Sequence, residues 1–237
     1  MNAIIIGASS GIGRELAIQL SAKGYKLGLT ARRVDLLNDL TKEINTESFI
    51  MKMDVADIDS TIKGINDLIE KLGRADLIII NAGVGFTNPE LDWQKEKATI
   101  DVNVMGFCAA ANASMKYFIS RGSGHLVGIS SLAALRGNRF APAYSASKAF
   151  MSNYLEGLRH KVVKEKLPIT VTDIKPGYVN TKMAMGEYLF WVAPVPKAVR
   201  QIIKAIEKKK SVAYITKRWR INAWIYKRLP GWIYYKA

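Results

Sequence analysis

Short apolar runs alternate with longer amphipathic segments along most of the chain. Apolar and β-branched residues predict strands at 3–6, 26–30, 48–53, 77–80, 125–130 and 169–174. Apolar positions at helical spacing predict helices at 13–23, 34–44, 58–72, 97–120, 144–166 and 197–207. Strands that alternate with helices predict a doubly wound parallel sheet. Runs such as 77–80, which have no polar face, predict a sheet that helices cover on both sides.

We therefore predict an α/β protein with about seven strands and a single domain over residues 1–237. A chain with 49% hydrophobic and 23% charged residues can form one substantial core. Strand 3–6 follows the initiator Met closely and no apolar run approaches bilayer-spanning length, so we expect a cytoplasmic protein. The lone Cys108 and the lack of Cys/His spacing predict no metal site.

Positive charge is concentrated towards the C-terminal end of the sequence. The formal net charge is +15, and residues 197–237 contain twelve Lys and Arg but one acidic residue, Glu207. Such a surface can attract nucleic acid, anionic lipid or phosphorylated ligands, or can simply be solvated. Because no recognition motif accompanies the charge, we expect no nucleic-acid binding.

The first predicted strand runs into a glycine-rich turn that opens a helix. The turn contains Gly7, Ser9, Ser10, Gly11, Ile12 and Gly13. Backbone N–H groups and the positive end of a helix at such a turn bind a pyrophosphate, and glycines allow the close backbone approach. The turn therefore predicts a dinucleotide-binding site, and a purely structural turn is the alternative.

The end of the second predicted strand bears on the choice of dinucleotide. An acidic residue at this position would bind a ribose 2′-hydroxyl and repel a 2′-phosphate. This chain has Arg32 and Arg33 there, and guanidinium groups bind phosphate well. The sequence thus favours NADP(H) over NAD(H), with Arg32 as the stronger candidate. The alternative is that one or both arginines are surface charges.

A tyrosine and a lysine, Tyr144 and Lys148, lie one turn apart on a predicted helix and so share a face. A tyrosine pKa of about 10 is too high for reversible proton transfer at neutral pH, and a neighbouring ammonium lowers it. Ser131 ends a predicted strand and could hydrogen-bond a carbonyl oxygen that gains negative charge. Its neighbour Ser130 is the competing candidate.

With these residues, the chain resembles the short-chain dehydrogenase/reductase family over residues 1–215. The glycine-rich turn, Asn81-Ala82-Gly83, Ser131, Tyr144 with Lys148, and Pro176-Gly177 occur in the family's order. The resemblance implies a Rossmann-type fold, Tyr144 as the general acid in reduction and Ser131 as the residue that orients the carbonyl. Lys148 would lower the tyrosine pKa and bind the nicotinamide ribose. Asn103 would hold a water in a proton relay, with helix packing as the alternative.

The same resemblance implies further contacts and an assembly. Asp54 and Val55 would contact adenine, Asn81, Ala82 and Gly83 would wall the cleft, and Pro176, Gly177, Val179 and Thr181 would position the nicotinamide. The family commonly associates through the helices predicted at 97–120 and 144–166. We therefore expect a homodimer or homotetramer, although the apolar faces of these helices could instead be used within one subunit.

Together these features predict an NADP(H)-dependent oxidoreductase that transfers hydride between the cofactor and a carbonyl or secondary alcohol. A catalytically silent NADPH-binding sensor or scaffold is the alternative from another class. The complete set of Asn103, Ser131, Tyr144 and Lys148 argues against it. Sugar-nucleotide epimerisation is a second enzymatic alternative, which Arg32 and the chain length disfavour.

Residues 183–196 and 136–139 bear on the small-molecule substrate. Aromatic and aliphatic side chains at 183–196 predict a lid and favour an apolar or lipid-like substrate, and a loop that packs on its own domain is the alternative. Arg136 and Arg139 could bind an anionic part of a substrate or could be solvated.

Residues 217–237 form a basic and aromatic tail in which 217–229 have helical spacing. Ile221, Ile225 and Leu229 form an apolar stripe, and Pro230-Gly231 ends the helix. The interpretation is a helix that packs on a subunit or covers the pocket. Peripheral membrane contact is the alternative, and it would point to a lipid-linked ketone as substrate.

Overall fold

Parallel strands form the centre of the fold in the computed structural model, which describes residues 1–183 and 190–235. The strands are β1 (Asn2–Ile6), β2 (Lys26–Ala31), β3 (Ser48–Lys52), β4 (Leu77–Ile80), β5 (Gly124–Ile129), β6 (Ile169–Pro176) and β7 (Val212–Ile215). In this described part of the chain they form one seven-stranded sheet with the order β3-β2-β1-β4-β5-β6-β7. The order reverses between β1 and β4, and a crevice opens at such a point beyond the carboxyl ends of the strands.

Helices cover both faces of this sheet. The helices α1 (Gly11–Ser21), α2 (Val34–Thr41) and α7 (Val195–Glu207) pack on one face. The helices α3 (Ile58–Leu72), α5 (Phe107–Arg121) and α6 (Pro142–Lys164) pack on the other. Helix α4 (Trp93–Ile100) continues through a π-helical turn, Asp101–Gly106, into α5. A 3-10 turn, Leu132–Leu135, follows β5, and α8 (Trp219–Arg228) and α9 (Gly231–Tyr234) follow β7.

Each central strand contributes side chains to both hydrophobic clusters. On β1, Ile4 and Ile6 belong to the cluster with α3 and α5, whereas Ala3 and Ile5 belong to the cluster with α1 and α7. Successive strand side chains point to opposite faces, so a strand covered on both sides must be apolar throughout. The prediction of a doubly wound α/β fold with helices on both faces is confirmed.

Several element bounds differ from those predicted. The helix predicted at 97–120 begins earlier, at Trp93, because the Asp92 carboxylate accepts a hydrogen bond from the backbone N–H of Gln94 at 2.9 Å. Helix α6 begins at Pro142 rather than at 144, since a proline fits the first turn of a helix. Strand β7, which has four residues, is not among the strands that the sequence predicts.

The C-terminal segments also differ in detail. Residues 184–189 of the predicted lid lie outside the described residues, and its last two positions belong to α7, which begins at Val195. The helix predicted at 217–229 spans Trp219–Arg228. Within residues 1–183 and 190–235, no helix combines the length and apolar composition needed to span a bilayer.

Candidate active site

The glycines in the turn between β1 and α1 could not be replaced by residues with a Cβ without strain or a close contact. Gly7 and Gly11 have φ angles of +90° and +57°, which favour glycine. A Cβ on Gly13 would lie 2.0 Å from the carbonyl oxygen of Gly7. The Asn81 side-chain amide donates to that same oxygen at 2.7 Å. The turn is therefore braced by the end of β4, and the open backbone this leaves is a cradle for a pyrophosphate.

The two arginines after β2 make different contacts. Arg33 donates hydrogen bonds from one guanidinium nitrogen to the hydroxyls of Ser9 and Ser10, each at 2.9 Å. The guanidinium of Arg32 lies 3.9 Å from the carboxylate of Asp54, and both side chains are exposed. Arg33 thus braces the glycine-rich turn, whereas Arg32 lies beside the end of β3.

Tyr144, at the start of α6, lies next to Ser131, which precedes the 3-10 turn after β5. Burial raises the pKa of the Tyr144 hydroxyl above its ordinary value, the hydrogen bond with Ser131 lowers it, and Tyr178 raises it. Because burial has the largest effect, Tyr144 is protonated at neutral pH. A protonated phenol beside a serine hydroxyl can donate a proton to a carbonyl oxygen.

Lys148 lies one turn further along α6, with its amine buried beneath the tyrosine ring. Its Nζ donates to the carbonyl oxygen of Ile129 at 3.1 Å and lies 5.7 Å from the centre of the Tyr144 ring. Burial lowers the pKa of Lys148 to about 8, against the opposing effect of Asp173. The amine is therefore mostly charged at neutral pH. The sequence predicts that this ammonium lowers the pKa of Tyr144, but in the structure burial raises that pKa and the opposing cause is Ser131 rather than Lys148.

The side chains of Ser130 and Ser131, which follow β5, have different surroundings. Ser130 is buried, and its hydroxyl donates to the carboxylate of Asp173. The Ser131 hydroxyl accepts a hydrogen bond from the backbone N–H of Ala133 at 3.1 Å and contacts Tyr144. Both serines line the cleft, but the Ser130 hydroxyl is used by Asp173, whereas Ser131 lies next to Tyr144, so the geometry favours Ser131.

Asn103 is completely buried in the π-helical turn. Its carboxamide accepts from the backbone N–H of Val84 at 2.9 Å and donates to the Val84 carbonyl oxygen at 2.8 Å and to the Ser147 hydroxyl at 3.0 Å. A Cβ on Gly83 would lie 3.2 Å from the Asn103 oxygen and 3.3 Å from Lys148 Nζ. Asn103 therefore braces the turn after β4 against α6, which is the packing role left open by the sequence.

A single cleft of about 2040 Å³ runs across the carboxyl ends of the strands and brings most of the predicted residues together. Its lining includes Gly7, Ser9, Ser10, Gly11, Ile12, Arg32, Arg33, Asp54, Val55, Asn81, Ala82, Gly83, Ser131, Tyr144, Lys148, Pro176, Gly177, Val179 and Thr181. Gly13 packs beneath the turn, and Asn103 lies behind Gly83. The glycine-rich turn and the side chain of Tyr144 therefore line the same cleft.

Comparison with known proteins decides the family. Residues 1–189 match the family model described as short chain dehydrogenase. The chain belongs to the short-chain dehydrogenase family. An uncharacterized oxidoreductase of Myxococcus xanthus is 39% identical over 186 residues, which cover 76% of this chain and 73% of that protein. This chain is accordingly an oxidoreductase of that family.

Solved structures agree in fold. A short chain dehydrogenase/reductase from Burkholderia phymatum in complex with NAD has a TM-score of 0.86 at 19% identity, covering 94% of this chain and 92% of that one. The structure of ElxO with NADP bound has a TM-score of 0.78 at 19% identity, covering 90% of this chain and 96% of that one. At these identities the likeness concerns the fold alone.

A buried ion pair lies beside Ser130 and Lys148 in this short-chain dehydrogenase. Asp173 and Lys175 on β6 are joined at 2.8 Å, with side chains 1% and 8% exposed. Lys175 also donates to the Ser152 hydroxyl on α6. The pair was missed in the sequence because residues two apart on a strand share a face, but nothing in the pattern signals that the face is buried.

Aromatic side chains form the rim opposite the glycine-rich turn. Trp219 is 3% exposed, and its ring centre lies 5.6 Å from that of Tyr178 and 5.2 Å from that of Phe190. A Cβ on Gly177 would lie 2.2 Å from the Trp219 indole nitrogen, so glycine is required where the tail packs on the end of β6. The tail therefore covers one side of the cleft, as the pocket-covering interpretation expected.

The loop after Ser131 is fastened to this tail. Arg136 donates to the carbonyl oxygen of Leu229 at 3.0 Å, and its guanidinium lies 4.6 Å from the centre of the Tyr234 ring. The guanidinium of Arg139 lies 4.5 Å from the ring centre of Phe140. Arg136 thus holds α8 and α9 in place, a role that differs from both of those considered from the sequence.

Proposed function

We propose that this oxidoreductase transfers hydride between NADP(H) and a carbonyl or secondary alcohol of an apolar or lipid-like small molecule. The observation that carries the proposal is the placement of Tyr144 and Ser131 side by side in the same cleft as the glycine-rich turn. The buried amine of Lys148 lies beneath the tyrosine ring. These groups supply a proton donor, a carbonyl-orienting hydroxyl and a fixed positive charge.

The residues present fit a nicotinamide dinucleotide. The cradle of Gly7, Gly11 and Gly13 leaves backbone free at a helix N-terminus, where a pyrophosphate is favoured. Asp54 and Val55 line the cleft after β3 and would contact adenine, and Thr181 would lie near the carboxamide. When bound, the nicotinamide ring supplies or accepts the hydride.

In carbonyl reduction the side chains act on the oxygen atom. Ser131 donates a hydrogen bond that stabilises the negative charge developing there. Tyr144, which burial keeps protonated, donates its proton to the same oxygen. The charge of Lys148 then favours the remaining phenolate. Asn103 is proposed to hold a water between Lys148 and solvent, in addition to bracing the turn after β4.

The preference for NADP(H) rests on Arg32 and Arg33. Arg33 is already ordered by Ser9 and Ser10 in the glycine-rich turn, and Arg32 lies beside it at the mouth of the cleft. Two guanidinium groups favour a 2′-phosphate, and the carboxylate of Asp54 lies next to Arg32. Proteins of this fold have been solved with NADP, as in ElxO, and with NAD.

The preference for an apolar substrate rests on the aromatic rim and on the predicted lid at 183–196. Tyr178 and Phe190 present ring surface next to Tyr144 and Ser131, and the buried Trp219 packs behind them. Such walls contribute affinity mainly by removing apolar surface from water. A substrate with a long acyl chain or a fused ring system would cover this rim better than a small ketone.

We also propose a homodimer or homotetramer through the helices around α5 and α6. Met105 and Val163 on these helical segments are 53% and 73% exposed, and Phe150 is 38% exposed. Exposed apolar side chains on two long helices suit a subunit interface.

The test is a turnover assay on the purified full chain with NADPH or NADH and a panel of small, long-chain acyl and sterol-like ketones. We expect NADPH to be preferred and the apolar ketones to react fastest. Arg32→Ala should weaken NADPH use about tenfold or more, the loss expected for a charged hydrogen bond. Arg200→Ala, an exposed arginine on α7, is the matched control.

Two results would count against the proposal. Preference for NADH in the unmodified chain would contradict the phosphate role of Arg32. Tight NADPH binding with no turnover of any ketone or alcohol would favour the alternative of a silent sensor or scaffold.

A further inference from the structure

One face of α8 is apolar and basic at the same time and points to solvent. At 3.6 residues per turn, Arg220, Ile221, Trp224, Lys227 and Arg228 fall on one side of the helix. All of these side chains are exposed, with Ile221 at 66% and Trp224 at 58%. Trp232 on α9 is also exposed, at 67%. We call these six residues the outer tail face.

The outer tail face groups its exposed apolar side chains in one cluster. Single exposed apolar residues are normal on a protein surface, but clusters mark a contact with a partner. Here two tryptophans and an isoleucine are exposed within twelve residues, from Ile221 to Trp232. The Arg228 guanidinium lies 4.5 Å from the Trp224 ring centre, so charge and aromatic surface are joined directly.

The charge of this face specifies an anionic partner. Residues 217–235 contain five Lys and Arg and no Asp or Glu in the sequence. A second copy of the chain fits poorly, because a two-fold contact would bring the same cations together. A phosphate backbone would match the charge but would not bury Ile221 and Trp224. A bilayer surface provides both an anionic headgroup layer and an acyl region.

Tryptophan and cationic side chains are the combination that an interfacial helix uses. Tryptophan rings settle at the headgroup level, and long basic side chains reach outward to phosphates while their stems cover apolar surface. We propose that the outer tail face docks this oxidoreductase on an anionic lipid bilayer.

The adjacent side of the same helix gives this docking a consequence. Asn222, Ile225 and Tyr226 line the cleft together with Ser131 and Tyr144. The bilayer would therefore lie against the rim through which a substrate enters. This step rests on the proposed function, and it predicts a substrate that is dissolved in or anchored to the membrane.

The test is co-sedimentation of the full chain with vesicles of phosphatidylcholine alone and of phosphatidylcholine mixed with phosphatidylglycerol. We expect binding to the mixed vesicles and much weaker binding to the neutral ones. Binding should also fall as the Debye length shrinks from about 10 Å at 0.1 M salt to about 3 Å at 1 M.

Two variants separate the apolar and charged parts of the face. Ile221→Ser combined with Trp224→Ser removes exposed apolar surface, and Arg220→Glu combined with Lys227→Glu reverses two charges. The charge reversal should reduce vesicle binding about tenfold or more, given roughly 1 kcal/mol for each basic residue near the surface and a tenfold change for each 1.4 kcal/mol. The apolar variant should also reduce binding, because less apolar surface then enters the bilayer. The control for charge is Lys63→Glu with Lys71→Glu on α3, which changes the net charge equally, and Trp93→Ser is the control for an exposed tryptophan.

Failure of membrane docking can be distinguished from failure of the proposed hydride transfer, because co-sedimentation does not require turnover. Equal binding to both vesicle types, or equal losses in the control variants, would overturn the docking proposal. Binding to heparin or DNA without binding to vesicles would indicate a nucleic-acid surface instead, and a tail-dependent change of oligomeric state would indicate a second copy. Vesicle binding with no activity would keep the docking and remove the substrate step.

Discussion

The cofactor end of the cleft and its substrate rim are built from different parts of the chain. At the cofactor end, Gly7 and Gly13 leave no space for a Cβ and present backbone. At the rim, Trp219, Tyr178 and Phe190 present large rings that meet from separate segments. The first end depends on small residues at fixed local spacing, and the second depends on contacts between distant segments. The first therefore fails when a Cβ is added, and the second fails when a contact between the segments is lost.

The largest expected effect comes from Tyr144, because a change there should affect the reaction and leave the cofactor end intact. Tyr144→Phe removes the proton donor but leaves the glycine-rich turn untouched. We expect turnover to fall by about 100- to 10,000-fold, the usual contribution of general acid catalysis. NADPH affinity, measured by fluorescence titration, should stay near that of the unmodified chain. Retained turnover would refute the role of Tyr144, and a large loss of affinity would show that the two ends are not separable.

Adjacent serines sharpen the same comparison. Ser131→Ala should lower kcat by about 100- to 1,000-fold, as does loss of one donor to a developing oxyanion. Ser130→Ala should instead cost about 1–3 kcal/mol of folding stability, because the carboxylate of Asp173 loses a buried hydrogen-bond donor. Steady-state kinetics and urea unfolding on both variants distinguish these roles. Equal kinetic losses would contradict the assignment.

The buried amine of Lys148 predicts a pH dependence of stability. Its pKa is lowered from 10.5 to about 8, so between these pH values the unfolded chain binds more protons at this position than the folded chain. The free energy of unfolding should therefore rise with pH in this window, by about 3 kcal/mol in total relative to Lys148→Met.

Urea unfolding at several pH values from 8 to 10.5 measures this difference. Lys63→Met, at an exposed lysine on α3, is the control and should show no such trend. A flat difference between the unmodified chain and Lys148→Met would show that the amine is more hydrated than its burial implies.

The smallest expected effect tests the cofactor end directly. Gly13→Ala would force a Cβ against the Gly7 carbonyl oxygen and the Asn81 amide, so the turn must shift. We expect a loss of about 1–3 kcal/mol of stability and weaker NADPH binding. Gly157→Ala in α6 meets nothing within 4 Å and should stabilise the helix by about 0.5–1 kcal/mol. Thermal unfolding with and without NADPH checks both, and an unchanged affinity in Gly13→Ala would contradict a tight cradle.

The residues found from the sequence are those whose signal is local. The glycines of the first turn and the one-turn spacing of Tyr144 and Lys148 are short patterns, and Ser131 follows a predicted strand. The fold was predicted because apolar runs such as Leu77–Ile80 require cover on both faces. The rise in the pKa of Tyr144 could not be predicted from the sequence, because it comes from burial, which is a property of the whole fold.

The features missed from the sequence depend on contacts between distant segments. Strand β7 is too short to stand out, and the π-helical turn around Asn103 has the same residue types as the helix on either side. The pair of Asp173 and Lys175 reads as two solvent-exposed charges until the sheet is assembled. The contact between Arg136 and Leu229 joins positions 93 residues apart, which no local pattern reports.

That long-range contact means that two distant parts of the chain must become ordered together. Arg136 follows the 3-10 turn Leu132–Leu135 and contacts both the carbonyl oxygen of Leu229 and the ring of Tyr234. Tyr234 in turn donates to the carbonyl oxygen of Gly137. A chain with different C-terminal helices would therefore need a substitute for this joint, because it links the tail to the loop that follows Ser131.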